Sequence, residues 1–401
     1  MQPRIANRTK GFPVSVFAEF SALAVQHGAV NLGQGFPDYD GPEEVKEAAC
    51  RAVRDGVNQY AISSGSEKLR RAIADHEERF YGTKIDPATM ITVTSGGTEA
   101  IFDTIMGLTD PGDEVILFEP FYDCYEPAAV LAGAVPCYVL LRPPDAGHPE
   151  WWFEADELRA AFNDKTRLII VNSPHNPTGK IYTRAEMELI AELCQRHDVI
   201  AIADEVYEHL VYAPHKHTRL ASVPGMAERT VSVASAGKSF GFTGWKIGWI
   251  VAAPPVRRAM QQVHQFVTFC TASPLLEAVA LGLGLPDAYF AKLAGDLETK
   301  RNLALEGLRA AGLKPWVPHG TYFIMADVRG TGFEDDFEFC RFLTREVGVA
   351  AVPPSAFYGE AHKAHGRGMA RFAFCKKEST LKEAAARLAK LPEAMKRAAA
   401  G

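Results

Sequence analysis

The stretch 199-VIAIADEVY-207 decides how this chain folds. Between Asp198 and Asp204 no side chain is polar, so the run has no face to offer to water. A short apolar run with β-branched residues fits a strand buried on both faces, as in a parallel sheet covered by helices on either side. A carboxylate at the end of such a strand is either a helix cap or a partner for a buried cationic nitrogen.

Working outward, similar runs recur at 90-MITVT-94, 115-VILF-118, 167-RLIIVN-172, 230-TVSVAS-235 and 247-IGWIVAAP-254. The segments between them carry helical spacing, as in Ile101, Ile105 and Leu108, or Met187, Ile190, Leu193 and Cys194. That alternation predicts an α/β domain with a mostly parallel sheet flanked by helices. After about residue 290 the order becomes long helix, strand, helix, two strands and helix, with strands at 322–327, 348–353 and 370–375. This pattern predicts a smaller α+β domain. The first forty residues read as irregular and end in 31-NLGQGFPDYDGP-42. The expected partition is 1–42 as an N-terminal arm and part of the small domain, 43–290 as the large domain, and 291–401 as the small C-terminal domain.

Composition narrows the function classes. The chain has 401 residues, 47% hydrophobic and 23% charged, too long for one compact core. Its net charge is −6 and its 43 basic residues are scattered, so neither nucleic acid nor a membrane surface is an expected partner. No apolar run reaches bilayer length, and the start MQPRIANRTKGFP lacks a signal-peptide core, which predicts a cytoplasmic protein. The seven cysteines are widely spaced without a Cys-x-x-Cys pair, so no metal site and no disulfide framework is expected. His215-Lys216-His217 follows Pro214 and reads as a solvated loop rather than a metal tract.

Ligands of open parallel sheets sit beyond the carboxyl ends of the strands. Those ends deliver Ser95-Gly96-Gly97-Thr98 opening a helix, Glu119-Pro120-Phe121-Tyr122, the loop 172-NSPHNPTGK-180, Asp204-Glu205-Val206-Tyr207, and Ser235 with Lys238. Gly237-Lys238-Ser239 looks like the tail of a nucleotide-binding P-loop, but the required earlier glycine falls at Ser232, inside a strand. Gly96-Gly97-Thr98 offers free amides and a positive dipole end for a phosphate, with Ser235 and Lys246 able to contribute. Lys238, at a strand end beside aromatic residues, suits an amine nucleophile of lowered pKa. A phosphate cradle, a stacking aromatic, an acid for a ring nitrogen and a nucleophilic lysine together describe a site for pyridoxal 5′-phosphate.

The motifs 235-SAGK-238, 176-NPTG-179, 204-DEVY-207 and 371-RFAF-374, in their order along the chain, resemble the class I/II aminotransferases of PLP-transferase fold type I. The phrases 31-NLGQGFPD-38, 58-NQY-60, 243-TGWKIGW-249 and 263-VHQF-266 are similar to the kynurenine/glutamine/methionine aminotransferase group. The resemblance implies that Lys238 is the covalent anchor of the cofactor and the shuttle for the substrate proton. It implies that Asp204 keeps the ring nitrogen protonated, that Asn176 and Tyr207 bond the ring oxygen, and that Tyr122 stacks on the ring. Gly97, Thr98, Ser235 and Lys246 would hold the phosphate, joined by Tyr60 from the partner subunit of a homodimer. Arg371 would take the substrate α-carboxylate, with Gly35 closing over it. Phe17, Phe269 and Cys270 fall where the group has its aromatic substrate pocket, whose animal members carry Trp at the first and His at the last.

The implied reaction is a ping-pong exchange of an amino group between a neutral amino acid (methionine, glutamine, aromatic or leucine-like) and a 2-oxo acid. Three rivals resemble the same motifs: an N-succinyldiaminopimelate aminotransferase, a β-lyase of cysteine conjugates, and a non-catalytic cofactor-binding module of a transcription regulator. The last needs a fused DNA-binding segment, for which this sequence shows no room.

Overall fold

The computed structural model describes residues 5–12 and 14–400; positions 1–4, 13 and 401 of the expected arm and C-terminal domain lie outside it. The strands are β1 (Val30–Asn31), β2 (Ile91–Thr94), β3 (Glu114–Glu119), β4 (Val135–Leu140), β5 (Thr166–Asn172), β6 (Ile200–Asp204), β7 (Thr230–Ser235), β8 (Gly248–Val251), β9 (Lys314–Pro315), β10 (Phe323–Asp327), β11 (Val349–Ala350) and β12 (Met369–Ala373). Seven of them form one sheet in the order β2-β8-β7-β6-β5-β3-β4. Only β8 runs against its neighbours; the other pairings are parallel.

The double burial expected from the apolar runs is visible strand by strand. Leu168, Ile170, Ile202, Val231 and Val233 face a core shared with Ile101 and Ile105 of the helix Gly97–Leu108. Ile169, Val171, Ala201 and Ala203 face the opposite core, with Met187, Ile190 and Leu193 of the helix Arg184–His197. Successive strand residues therefore alternate between two helical layers. The second of these helices begins with a capping box between Thr183 and Glu186.

The remaining strands form two small sheets. One is antiparallel in the order β12-β10-β9; the other is the parallel pair β1-β11, with Val30 opposite Val349. The chain start is thereby joined to its last third.

Three local expectations are corrected. The first forty residues are not wholly irregular: Val16–Gln26 is a helix that buries Val16, Phe20 and Ala24 at spacings of four. Strand β4 was not anticipated; its alternation is weakened by Pro136 and by partial exposure along an edge. The expected strand 348–353 shortens to Val349–Ala350, with Val352 only bridging Arg371.

Candidate active site

Register brings the polar strand ends together. Asn172 of β5 pairs with Asp204 of β6, and Asp204 with Val233 of β7. Gly248, the first residue of β8, pairs with both Ser235 and Thr94. Because β8 is antiparallel, its beginning lies beside the ends of β2 and β7. That is how Lys246, two residues earlier, reaches the same place. Around these ends lies a cavity lined by Gly96, Gly97, Thr98, Tyr122, Asn172, Asn176, Asp204, Tyr207, Ser235, Lys238 and Lys246 among others.

The turn at one end is built by glycine. Gly96 has φ +84, and a Cβ there would lie 3.0 Å from Lys246 Nζ. A Cβ on Gly248 would strike the Gly96 carbonyl carbon at 2.6 Å and the Gly97 nitrogen at 2.7 Å. Bare backbone lets the turn lie against β8 and leaves its amides facing the cavity.

Asp204 sits at the centre, buried. It accepts from the Tyr125 hydroxyl and from the Val206 amide at 3.3 Å, and no cation among the described residues comes within 4 Å. Burial pushes its carboxyl up to about 6. The turn is anchored from behind: Glu205 and Glu208 point away from the cavity and bind Arg219 at 3.0 and 2.7 Å, and Arg219 also binds Glu77 at 2.7 Å. The other residues of the 204–207 motif, Asp204, Val206 and Tyr207, are left on the cavity side. His217 belongs to this anchor, 3.3 Å from Glu205 with its side chain 4% exposed, which corrects the solvated-loop reading at His217 while Lys216 beside it is exposed in the loop. Fixing a turn with a buried ion cluster is costly in isolation, but it leaves little freedom for Asp204.

Lys238 lies in the short helix Ala236–Ser239 that follows β7. Its Nζ donates to the Tyr322 hydroxyl oxygen at 3.0 Å, and Tyr322 donates to the Gly35 carbonyl at 2.6 Å. Burial lowers the amine to about 8. Since the Tyr322 hydrogen is committed to Gly35, its oxygen can only accept from Lys238, which leaves the nitrogen lone pair free.

Asn176 is held by its own loop, its amide donating to Asn172 Oδ1 at 2.6 Å, while its Oδ1 accepts from Arg371 at 3.1 Å. Arg371, on β12, also donates to the Gly33 carbonyl at 3.0 Å. The guanidinium is 1% exposed, its Nε has no partner, and no carboxylate of the described residues lies within 4 Å. Burial depresses it to about 10. Phe323, Phe357 and Phe17 surround it at 4.1, 4.9 and 5.0 Å. Gly35 is required where it stands, since a Cβ would meet the Phe323 ring at 2.5 Å.

Of the residues expected from sequence, Gly97, Thr98, Tyr122, Asn176, Asp204, Tyr207, Ser235, Lys238 and Lys246 line the cavity. Arg371, Gly35 and Phe17 join it through the contacts above. Tyr60 and Phe269 do not: they pack edge to face at 5.4 Å on the surface, 83% and 45% exposed. Sequence reasoning missed Tyr125, Tyr322, Asn172, Phe323 and Phe357. Only Tyr125, one helical turn after Tyr122, left a trace in the spacing.

Two charged groups are thus buried without compensation, and each would otherwise cost several kcal/mol. Asp204 needs a cationic hydrogen-bond donor, Arg371 needs a carboxylate, and the glycine turn with Lys246 needs an anion. Pyridoxal 5′-phosphate with an amino acid meets all of these, so the residues present fit that cofactor.

Comparison with known proteins agrees with the geometry. Residues 28–388 match the family described as aminotransferase class I and II. The chain is 44% identical over 393 residues to a probable N-succinyldiaminopimelate aminotransferase, DapC, of Mycobacterium tuberculosis, covering 96% of this chain and 98% of the relative. It is 42% identical over 398 residues to mouse kynurenine–oxoglutarate transaminase 3, covering 94% of this chain and 88% of the relative. The solved N-succinyldiaminopimelate aminotransferase of M. tuberculosis superposes with a TM-score of 0.93 at 44% identity, over 97% of this chain and 100% of that one. The structure of YbdL from Escherichia coli, described as having a methionine aminotransferase function, superposes at 0.92 with 38% identity, over 97% and 100%.

Proposed function

The chain belongs to the class I and II aminotransferases, PLP-dependent enzymes that exchange amino groups, and from that premise we propose that its donor is an amino acid with a neutral side chain and its acceptor a 2-oxo acid. The observation that carries the reading is Arg371: a buried guanidinium without a carboxylate, framed by three phenylalanine rings. A fork of parallel donors selects an α-carboxylate, and the apolar frame disfavours a second charge beside it.

The roles follow from the contacts. When bound, the cofactor supplies an aldehyde for the lysine and a ring that accepts electrons from the Cα–H bond. Gly97, Thr98, Ser235 and Lys246 would hold its phosphate, and Tyr122 its ring face. Asp204, ionised above about pH 6, would hold the ring nitrogen as a cation. With its oxygen occupied by Arg371, Asn176 has its NH₂ free to donate to the ring oxygen together with Tyr207. Lys238 would be the covalent anchor. Once displaced, its neutral amine would take the Cα proton and deliver it to the cofactor carbon on the far side of the substrate nitrogen, while Tyr322 holds the amine in place.

We also infer a cytoplasmic homodimer with residues 1–42 as arm and part of the small domain, 43–290 as the large domain and 291–401 as the small one. No helix among the described residues is long and apolar enough to cross a membrane. Tyr60 and Phe269 are exposed, and their chain neighbours Ile62, Phe266 and Val267 are exposed too. Such an apolar patch suits a subunit interface from which Tyr60 reaches the partner's phosphate and Phe269 the partner's substrate.

A second reading, transamination of N-succinyldiaminopimelate, is favoured by the likeness to the mycobacterial relative. A panel of methionine, glutamine, phenylalanine, kynurenine, aspartate and N-succinyldiaminopimelate with two 2-oxo acids separates the readings. The neutral donors should give the highest kcat/KM; turnover confined to the succinylated substrate would refute the first reading. Lys238→Ala should abolish turnover and remove borohydride labelling of the protein by the cofactor.

A further inference from the structure

The helix that offers its start to the cavity, Gly97–Leu108, carries Glu99 and Asp103 one turn apart on one side. His264, from the helix Pro254–Val267, meets both: its Nδ1 lies 3.1 Å from Glu99 and 3.6 Å from Asp103. Its Nε2 lies 2.9 Å from the carbonyl oxygen of Ser63. A carbonyl can only accept, so Nε2 carries a hydrogen; an ionised carboxylate also only accepts, so Nδ1 carries one too. The ring is an imidazolium with 0% of its side chain exposed. Burial opposes that charge, but the nearby carboxylates of Asp103 and Glu99 outweigh it and hold the ring at about 9. Those two carboxylates are the charged groups that face it. Against their burial, Glu99 is held below the usual carboxylate range by His264, Thr268 and Ser95, while burial pushes Asp103 up to about 6.

Glu99 is also tied to the cavity. It accepts the backbone N–H of Ser95, where the Ser95-Gly96-Gly97-Thr98 turn begins. It therefore braces the turn, yet puts a negative charge into the first turn of a helix whose free amides face the cavity. Left alone, that charge would repel a phosphate. The Ser63 segment is bound to the same helix as His264, since Gln261 donates to Ser63 Oγ at 2.7 Å and accepts from Thr92 at 2.7 Å.

We propose that His264 is a positioning residue of the phosphate site: as a cation it cancels the charge of Glu99 beneath the turn, and it ties that turn to the segment carrying Tyr60. This rests on the cofactor reading above and adds to it a residue that need not touch the cofactor.

Cofactor release from the holoenzyme tests the proposal without reference to turnover. Dissociation of pyridoxal 5′-phosphate, and of pyridoxal as the phosphate-free probe, is followed from about pH 7 to about pH 10 in wild type, His264→Gln and Glu99→Gln. His264→Gln should loosen the phosphorylated cofactor about tenfold at neutral pH and leave pyridoxal nearly unchanged. Wild type should release the phosphorylated cofactor more readily as pH passes about 9, a step that His264→Gln lacks. Glu99→Gln keeps an acceptor for Ser95 but removes charge that holds the proton, so it should move the step to lower pH. The lysines of the site titrate in every variant, so the difference from wild type is the readout. Unchanged retention in His264→Gln across the range, or equal loss of both probes, overturns the role of His264 while the cofactor reading stands. Wild-type protein that retains neither probe overturns both. Should His264→Gln fail to fold, an alkaline step that Glu99→Gln leaves in place overturns the role by itself.

Discussion

Burial lifts the Asp204 carboxyl from 3.8 to about 6 while Tyr125 and Val206 bond it, so the folded protein without cofactor carries a charge it resists. The pKa is raised in the folded state, so the destabilisation is present above about pH 6 and is relieved as pH falls toward 4. The shift corresponds to about 3 kcal/mol, of which a lost hydrogen bond would take back about 1. Asp204→Asn should therefore stabilise the cofactor-free protein by about 1–2 kcal/mol at neutral pH and by less near pH 4, read from urea midpoints at the two pH values. In the same variant turnover should fall at least about a hundredfold, because the ring nitrogen loses its anionic partner. With the cationic ring nitrogen beside it the carboxyl is pulled back below its value in the empty site, so wild-type activity should keep its acid limb below about pH 6. Arg371 carries the complementary case. Arg371→Lys keeps a cation but loses the fork, and kcat/KM should drop about a hundredfold for every amino acid, whatever its side chain, in steady-state assays. Both residues were legible in the sequence because each ends or occupies a strand in a recognisable motif. Tyr322 and Phe357 were not: an aromatic residue at a strand start or at the end of a single 3₁₀ turn reads as core, and only tertiary contact turns it toward Lys238 or Arg371.

Among the elements, β8 does most to shape the cavity, since its antiparallel run sets Gly248 against Gly96 and Gly97. No rotation of a side chain relieves a Cβ at that spot, because the atoms it meets are backbone. Gly248→Ala should force β8 and the turn apart, lowering stability by about 1–3 kcal/mol in thermal unfolding and weakening cofactor retention more than that loss explains. Retention equal to wild type would mean that the turn keeps its shape without this contact. The element-level reading from sequence succeeded where strands are buried on both faces, as in β5 and β6, because continuous apolar runs leave little choice. It failed where burial is one-sided or the strand is too short for a period to register. Strand β4 is mostly part-buried along an edge with no clean alternation, and β1, β9 and β11 span two residues each. Their pairing is decided by distant partners such as Val30 and Val349 rather than by local pattern.

At the scale of the whole molecule, the large sheet supplies Asn172, Asp204 and the approach to Lys238, whereas Arg371 and Tyr322 come from the last third of the chain and Gly35 from its beginning. The pieces meet in one subunit, but Tyr60 does not: its ring is 83% exposed and points to the surface beside Phe269. Two arrangements could account for a motif residue left outside. Either Tyr60 is surface only, or it completes the phosphate site of another copy. Mixed assemblies separate these. Lys238→Ala subunits keep Tyr60 but lack the amine, and Tyr60→Ala subunits keep the amine but lack the hydroxyl. If the tyrosine acts across an interface, random mixing should make about one quarter of all sites fully wild type, and activity should rise well above the mean of the two parents. If it acts within its own subunit, or not at all, mixing should give no more than that mean. Phe266→Glu, placed on the exposed patch, should weaken the assembly in light scattering and abolish the gain on mixing.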